Sequence, residues 1–295
     1  MNPLKGDLKS FLEGKLSPED IAAIYKSYDI IGDIAVIRIP EQTIQHGETI
    51  AEALMLQHKH VRSVWRQSGP VSGDFRLRDL ELIAGERKTE TIYKEHGCLF
   101  KVDIRKCYFS PRLGFERIRI AGLVEEGNVV VNMFAGVGCY SIVIAKHSKV
   151  SKVYSIDMNP DAVKYMRENV LLNKVVDKVI PMEGDARVIV DGTLKGKADR
   201  VLMPLPEKAH EYLDIAVSAL KPPVGWVHYC SFEHANEGED PVEKAREKAG
   251  SILQRLNVEF ESSFGRIVRQ TGPNWYQLAI DISVKKNDLP RGMTS

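Results

Sequence analysis

The sequence lacks any long apolar run: nothing in its 295 residues approaches the roughly 18 consecutive apolar residues of a membrane-spanning helix. Its N-terminus also lacks the apolar core of a secretory signal peptide. Cysteine is scarce, with four residues and no C-x-x-C spacing, which argues against a disulfide framework and a zinc site. These absences predict a cytoplasmic protein with reduced, mostly buried thiols, without a membrane partner and without a bound metal.

Net charge is nearly absent too, at +1, but the charges are unevenly distributed. The segment from Lys59 to Arg119 contains 14 Lys and Arg residues against 8 Asp and Glu residues. A local basic excess is often only a solvated face, yet it permits contacts with the phosphates of a nucleic acid. The candidate phosphate contacts, each of which could equally face solvent, are Arg62, Arg66, Arg112, Arg117 and Arg119.

The chain is long enough for two modest domains, and its 43% hydrophobic and 27% charged content is typical of a globular protein. Residues 1–27 predict an N-terminal helical extension, and residues 28–105 predict a small α+β subdomain. Residues 106–125 predict a linker with a helix. Residues 126–285 alternate strand and helix, which predicts a doubly wound, mostly parallel sheet, and the tail 286–295 is expected to fray.

The most informative stretch runs from Val129 to Tyr140, where an apolar β-branched run is followed by a glycine-rich turn and an apolar helix. Gly136 and Gly138 permit positive φ angles and close approach of a ligand, and the next helix offers unsatisfied N–H groups. This order of elements predicts a nucleotide-type pocket, although glycines in such turns are also common for packing alone.

Two carboxylates follow the next two apolar strands. Asp157 ends a strand roughly 20 residues beyond the glycines, where an acid can hold the two hydroxyls of a ribose. Asp185 follows a third strand, where it could meet an adenine amino group or serve only as a helix cap.

Together the motifs F-A-G-V-G, S-I-D-M-N-P and E-G-D-A-R resemble the S-adenosylmethionine-binding core of a class I methyltransferase. With Phe109 to Arg117 upstream and Met203 to Pro206 downstream, the chain resembles the archaeal and eukaryotic tRNA guanosine-37 N1-methyltransferase family from about Tyr28 to Lys285. The resemblance implies an α/β, Rossmann-like fold with an antiparallel C-terminal hairpin and a small RNA-binding subdomain. It also implies S-adenosylmethionine as cofactor and the tRNA anticodon stem-loop as partner, and we expect a monomer.

The resemblance further implies the residues of the binding sites. The cofactor site would contain Phe109, Arg117, Phe134, Ala135, Gly136, Val137, Gly138, Asp157, Met158, Asn159, Asp185, Ala186 and Pro204. The substrate site would contain Arg112, Pro204, Leu205 and Pro206.

The chain departs from the family pattern at three places. Asn132 replaces an aspartate before the glycine loop, and Pro204 replaces the asparagine of an Asn-Leu-Pro motif. Family members commonly carry a further N-terminal domain that grips the outer corner of tRNA, and we expect none here because residues 1–27 leave no room for it.

Methylation of guanine N1 needs a base near N1 and a cation or donor near O6, because N1 carries a proton whose removal moves charge onto O6. The resemblance assigns Glu116 as the base, although a first-turn glutamate is common for the helix dipole alone. It assigns Arg76 to O6, with a salt bridge to Asp74 or Asp79 as the alternative. Tyr108 matches a tyrosine close to the sulfonium, although an isolated tyrosine would more often be a core residue.

The sequence therefore predicts an enzyme, an S-adenosylmethionine-dependent methyltransferase that acts on N1 of guanosine at position 37 of tRNA. The nearest alternative is a wybutosine-pathway transferase acting at the same position, by aminocarboxypropyl transfer or by methylation of a wyosine precursor. Asn159-Pro160 and Leu205-Pro206 follow the methyltransferase pattern, whereas Pro204 leaves the choice between guanosine and a precursor open. A non-catalytic tRNA-binding protein is a third interpretation.

Overall fold

The computed structural model describes residues 7–69, 71 and 73–286, and it divides into two units, 1–114 and 115–295. Residues 1–6 of the predicted extension and residues 287–295 of the predicted frayed tail lie outside the described residues. Within the described ranges, no helix combines the length and the apolar composition that a membrane span requires. The finer division at 28, 105 and 126 stays a prediction.

The first unit contains a four-stranded sheet and a separate two-stranded hairpin. The strands of the sheet, in both chain and spatial order, are β1 (Tyr28–Ile31), β2 (Ile34–Ile37), β3 (Ser63–Gln67) and β4 (Leu80–Gly85). The hairpin strands, β5 (Glu90–Glu95) and β6 (Cys98–Asp103), pair antiparallel. Helices α1 (Pro18–Ala23) and α2 (Gly47–Gln57) complete the unit.

The crossover of α2 explains the mixed sheet of this unit. Strands β2 and β3 are parallel, and a parallel pair needs a crossover long enough to return to the same sheet edge. Ile50 and Leu54 of α2 are fully buried in a core with Ala35 and Val64 of β2 and β3. The helix begins at Gly47, because Glu41–His46 forms a 3₁₀ helix directly after Pro40.

The second unit is a seven-stranded sheet with helices between its strands. Its strands are β7 (Val129–Asn132), β8 (Lys152–Asp157), β9 (Val179–Glu183), β10 (Arg200–Met203), β11 (Val224–His234), β12 (Glu259–Gly272) and β13 (Trp275–Lys285). Its helices are α3 (Gly114–Leu123, beginning at the unit boundary), α4 (Cys139–His147), α5 (Pro160–Leu172), α6 (Ala186–Ile189), α7 (Leu213–Ala219) and α8 (Pro241–Arg255).

The spatial order β12-β13-β11-β10-β7-β8-β9 makes five strands parallel and adds the antiparallel hairpin β12–β13 at one edge. This confirms the predicted mostly parallel sheet with an antiparallel C-terminal hairpin. The chain leaves the centre at β7, moves outward through β8 and β9, and returns to the other side of β7 at β10. The loops after these parallel strands therefore meet at one sheet edge, beside a topological switch point where α/β proteins bind ligands.

The hairpin is long and bulged. Strand β12 begins at Glu259 and pairs with β13 through register shifts at Ser262/Phe264, Ile267/Arg269 and Gln270/Gly272. Each bulge interrupts the alternation of inward and outward side chains, which is the pattern by which a strand is predicted. The four cysteines are buried free thiols, as predicted.

Candidate active site

The glycine-rich loop after β7 has the backbone that its sequence predicts. Gly136 and Gly138 have φ angles of +56° and +92°, and α4 begins at the next residue, Cys139. A Cβ on Gly138 would lie 2.9 Å from Cγ of Met166, so glycine is also required at this position for packing against α5. Both interpretations of the glycines, ligand approach and packing, therefore fit this loop.

Asp157, at the end of β8, joins two loops of the candidate cofactor site. Its Oδ2 accepts a hydrogen bond of 2.6 Å from the Gly136 amide, and its Oδ1 accepts one of 2.9 Å from the Asn159 amide. Burial raises the pKa of Asp157 even though both amide hydrogen bonds lower it. Each carboxylate oxygen keeps a further lone pair, so the group can still accept from two vicinal hydroxyls.

Asp185, in the loop after β9, caps the next helix, α6. Asp185 Oδ1 accepts from the Arg187 amide at 2.7 Å, which confirms the helix-cap interpretation, and the Tyr212 hydroxyl lies 3.5 Å from its Oδ2. Tyr212 also packs edge-on against the predicted cofactor residue Phe134, with 5.2 Å between the ring centroids. Asn159 likewise caps its helix, because its Oδ1 accepts from the amide of Asp161. A cofactor role for Asp185 and Asn159 stays a prediction.

Asn132, the residue that departs from the family aspartate, is fully buried at the end of β7. Its Nδ2 donates to Ser141 Oγ at 3.1 Å, and the Ser155 hydroxyl lies 2.7 Å from the same oxygen. Among the described residues, Asn132 Oδ1 has no hydrogen-bond partner. The amide therefore bonds within the loop region and leaves one buried acceptor at the strand end.

The remaining cofactor candidates of the second unit differ in exposure. Val137 and Ala186 are buried, and the Val137 carbonyl accepts from Asn169 Nδ2 at 3.0 Å. Met158 is 46% exposed. Arg117 is buried, with its guanidinium carbon 5.9 Å from the centroid of the Tyr140 ring.

The predicted base, Glu116, lies in the first turn of α3 with only 3% of its surface exposed. Arg119, one turn later, donates from Nε to both carboxylate oxygens at 3.0 Å each and from Nη2 to Oε1 at 2.5 Å. Arg119, with 15% of its side chain exposed, is therefore a partner of the base rather than a residue that faces solvent, and a phosphate contact stays a prediction. Arg266 of β12 lies farther away, with Nη1 3.9 Å from Glu116 Oε2.

Arg119 continues the ion-pair network into the sheet. Its Nη1 donates to Asp281 Oδ2 of β13 at 2.6 Å, and His228 Nδ1 of β11 lies 2.7 Å from Asp281 Oδ1. Burial alone would raise the pKa of Asp281, but the hydrogen bonds from His228 and Arg119 lower it to about 2. Burial lowers the pKa of His228 and outweighs the opposite effect of Asp281. The carboxylate is therefore ionised and the imidazole neutral at neutral pH.

A small pocket connects the base with the loop after β10. It is lined by Glu116, Arg119, Ile120, Tyr140, Leu202, Met203, Pro204, His228, Cys230 and Ala279. The structure thus brings together the predicted base and Pro204, which the sequence assigns to the target nucleobase. Pro206 follows as a buried residue, and the Leu205 carbonyl accepts from the amide of Ala209 at 2.9 Å.

The candidates of the first unit form their own cluster. The guanidinium carbon of Arg76 lies 4.0 Å from the centroid of the Tyr108 ring, and Arg76 has a φ angle of +55°. Phe109 is buried against Tyr93, with ring centroids 5.1 Å apart. Arg112 donates from Nε to Asp29 Oδ1 at 2.7 Å while its side chain stays 43% exposed.

Two family models match the chain. The model of the TRM5/TYW2 methyltransferase domain covers residues 91–259, and the model of the TYW2 N-terminal domain covers residues 8–89. The chain belongs to the TRM5/TYW2 methyltransferase family. This membership confirms the family that the sequence motifs predict.

Relatives of this TRM5/TYW2 protein are named for different reactions at position 37 of tRNA. The tRNA (guanine(37)-N(1))-methyltransferase Trm5b of Pyrococcus abyssi is 42% identical over 258 residues, which cover 88% of this chain and 74% of the relative. The tRNA 4-demethylwyosine(37)-methyltransferase Taw21 of Saccharolobus solfataricus is 37% identical, over 90% of this chain and 96% of the relative.

Solved structures of the TRM5/TYW2 family match the fold. The crystal structure of P. abyssi Trm5b has a TM-score of 0.81 at 40% identity and covers 92% of this chain and 79% of that chain. The structure of P. horikoshii TYW2 in complex with MeSAdo has a TM-score of 0.78 at 27% identity and covers 95% and 98%. The predicted fold class is confirmed.

Three residues of this TRM5/TYW2 site lie outside the sequence-based predictions of site residues: Arg119 as partner of the base, Asp281 and His228. A signal for Arg119 was present, since an arginine three residues after a glutamate on a helix faces it. Asp281 offers a second signal, because it interrupts the apolar run Leu278 to Ile282 in a central strand. A charge in such a position is buried and needs a partner.

Proposed function

We propose that the protein is a cytoplasmic S-adenosylmethionine-dependent tRNA (guanine-37-N1)-methyltransferase that acts on the anticodon stem-loop. The observation that supports this proposal is a pocket that is lined both by the buried Glu116 and by Pro204, which follows the carboxyl end of β10. A carboxylate in a pocket of this kind is a suitable base for a nucleobase edge. The predicted monomer stays a prediction.

The residues present fit S-adenosylmethionine. Two positive-φ glycines leave room for backbone approach, Asp157 retains acceptor capacity for a ribose, and Asn132 Oδ1 is a buried acceptor without a partner among the described residues. Such an acceptor suits the ammonium group of the methionine moiety. A TYW2 relative has been solved with MeSAdo, which supports the same cofactor chemistry here. When bound, the sulfonium supplies an electrophilic methyl group.

The residues of the chain then have separate tasks. Glu116 accepts the N1 proton, so that the N1 lone pair becomes available for in-line attack. Arg76 is assigned to the charge that moves to O6, because a planar guanidinium suits a developing oxyanion. Pro204 and Leu205 follow β10 in the loop assigned to the target base. An anticodon-loop base is unpaired and can be turned outward to reach such a pocket.

A second candidate function is methylation of 4-demethylwyosine at the same tRNA position. It is supported by Pro204, which lacks the amide donor and acceptor of the family asparagine, and by the likeness to Taw21 over 96% of that relative. A proline offers a flat apolar surface to a tricyclic base and takes no part in hydrogen bonding through its side chain.

A labelling experiment separates these activities. The protein is incubated with tRNA that carries G37, A37 or 4-demethylwyosine at position 37, and with cofactor labelled either in the methyl group or in the amino-acid moiety. We expect the methyl label alone to enter the RNA, and only with G37. Incorporation of the amino-acid label would show aminocarboxypropyl transfer, and methylation restricted to tRNA that carries 4-demethylwyosine would favour the second candidate. Incorporation of neither label into any of the three tRNAs would overturn the enzyme assignment.

A further inference from the structure

The base Glu116 is the end of a network of hydrogen-bonded polar side chains that extends across three strands of the sheet. The network continues from Glu116 through Arg119 to Asp281 and His228. It ends at Arg200 of β10, whose Nη1 lies 3.4 Å from His228 Nε2. All four partners beyond Glu116 have side chains that are at most 15% exposed. We propose that Asp281 and His228 are positioning residues that control Glu116 through Arg119. This inference rests on the proposed function, in which Glu116 accepts the N1 proton.

The hydrogen-bond directions fix the state of His228. Asp281 is a carboxylate and can only accept, so His228 Nδ1 carries the proton and donates to it. The guanidinium of Arg200 can only donate, so His228 Nε2 must be an unprotonated acceptor. Only the neutral Nδ1–H tautomer satisfies both neighbours, in agreement with the lowering of the His228 pKa by burial. His228 therefore orients Asp281 without adding a charge.

Arg119 is held on two edges and one face. Its Nε and Nη2 donate to Glu116, its Nη1 and Nη2 donate to Asp281, and its guanidinium carbon lies 4.6 Å from the centroid of the Phe264 ring. A guanidinium bonded to two carboxylates in this way cannot rotate without breaking charge-assisted hydrogen bonds. The position of the Glu116 carboxylate is therefore set by residues in β11 and β13, which lie more than a hundred positions later in the chain.

The second carboxylate also matters for proton transfer. When Glu116 accepts the N1 proton it becomes neutral, and Arg119 then needs another counter-ion because an unpaired buried charge is strongly unfavourable. Asp281 is that counter-ion, and it remains ionised because its pKa is about 2. Without Asp281, protonation of Glu116 would leave the positive charge of Arg119 without a counter-ion. Asp281 thus favours the protonated state of Glu116 that the reaction requires.

Other titratable or charged groups around Glu116 do not supply this function. Tyr140 of α4 and Cys230 of β11 line the same pocket, and burial raises the pKa of both, so both are neutral at neutral pH. Arg117 lies next to Glu116 in the helix, and Arg266 approaches Glu116 only to 3.9 Å. Both are cations and favour the carboxylate. Among the described residues that surround Glu116, Asp281 is thus the acid that balances Arg119.

The test is the pH dependence of single-turnover methylation of a G37 transcript by the Asp281→Asn variant. Asparagine has nearly the same shape and accepts from His228, but it removes the charge. We expect the rate at neutral pH to fall ~10-fold or more, and the acidic limb of the rate profile to move to lower pH, because Arg119 then holds Glu116 more firmly as a carboxylate. The KM for S-adenosylmethionine should stay unchanged.

Glu233→Gln is the matched control, since Glu233 is another buried acid of the sheet, in β11, and is paired with Lys248. It should leave the pH profile unchanged. If Asp281→Asn fails to fold, His228→Asn retains the Asp281 charge but changes its orientation, and a smaller rate loss without a pH shift is expected. A wild-type profile in Asp281→Asn, or the same change in Glu233→Gln, would overturn the inference. Failure of the proposed function is distinct, because the wild type itself would then not methylate the G37 transcript, and failure of the base assignment would leave the rate of Glu116→Gln unchanged.

Discussion

Arg119 donates from Nε to both carboxylate oxygens of Glu116, at 3.0 Å each, and the pair lies in one pocket with Pro204. The two residues are one helical turn apart, so α3 itself sets their spacing. The pairing holds the carboxylate in the pocket rather than in solvent. The proposed chemistry depends on this arrangement, and each of its parts can be tested separately.

Replacement of Glu116 by glutamine removes the proton acceptor while keeping the shape of the side chain. We expect the single-turnover methylation rate to fall by about 10²- to 10⁴-fold, the usual contribution of a general base. The dissociation constant of S-adenosylhomocysteine, measured by calorimetry, should change little. Glu126→Gln serves as the control because Glu126 is an exposed partner of Lys149. A Glu116→Gln rate within twofold of the wild type would contradict the role of base.

Asp157→Asn tests the cofactor loops. The amide nitrogen of asparagine would face the N–H of Gly136 or Asn159, which are now 2.6 and 2.9 Å from carboxylate oxygens. We expect S-adenosylhomocysteine to bind ~10- to 100-fold more weakly, because charge-assisted hydrogen bonds contribute about 1.5–3 kcal/mol. Asp177→Asn changes an exposed acid in the loop before β9 and should leave the affinity unchanged. Equal affinities in the two variants would exclude the proposed role of Asp157.

A pair of glycine variants separates backbone strain from packing. Gly127 and Gly138 both have positive φ angles, +82° and +92°, but a Cβ on Gly127 meets nothing within 4 Å. We expect Gly127→Ala to lower the free energy of unfolding by about 1 kcal/mol. Gly138→Ala should lower it by about 2–4 kcal/mol, because its Cβ also overlaps Met166. Urea unfolding measures both, and equal losses would show that the contact with Met166 is relieved without cost.

Arg76 combines a positive φ angle with an assigned role at O6. Arg76→Gly relieves the backbone strain but removes the contact with the Tyr108 ring, so the free energy of unfolding should stay within about 1 kcal/mol of the wild type. The methylation rate should fall at least about 100-fold, as expected for loss of an oxyanion donor. Lys174→Gly, at a φ angle of +57°, gives the same relief and should keep full activity. Activity retained in Arg76→Gly would remove Arg76 from the catalytic set.

Asp281 makes stability depend on pH. Its pKa is about 2 in the folded protein, below the ordinary value of 3.8, so the folded state binds its proton less readily than the unfolded state. The resulting stabilisation, ~2 kcal/mol, is complete above about pH 5 and is lost as the pH falls towards 2. We expect the urea midpoint to decrease more between pH 6 and pH 3.5 in the wild type than in Asp281→Asn. Parallel decreases would contradict this assignment.

The parts of the site that the sequence predicts are local in the chain. Gly136, Gly138 and Asp157 each lie at the end of an apolar strand, so the strand, its turn and the polar residue can be identified together. The parallel order of the sheet follows from the alternation of strand and helix. Asp185 could be assigned two roles, and the helix cap is the one its geometry displays.

The network behind Glu116 is not local, and this is why its composition could not be predicted. Arg119 and Asp281 are 162 positions apart, and they meet only because β13 inserts between β11 and β12. The bulged register of β12 is likewise set by pairing with β13 rather than by its own alternation. Which side chains face each other across such strands depends on the register, which a single sequence does not specify.

The most direct test of the central claim is mass analysis of nucleosides from a G37 tRNA transcript treated with the protein and S-adenosylmethionine. We expect one methyl group per tRNA, recovered as 1-methylguanosine in the anticodon-loop fragment, and almost none with Glu116→Gln within the time that the wild-type reaction needs. A methyl group at another atom or position, or an unchanged yield with Glu116→Gln, would contradict it.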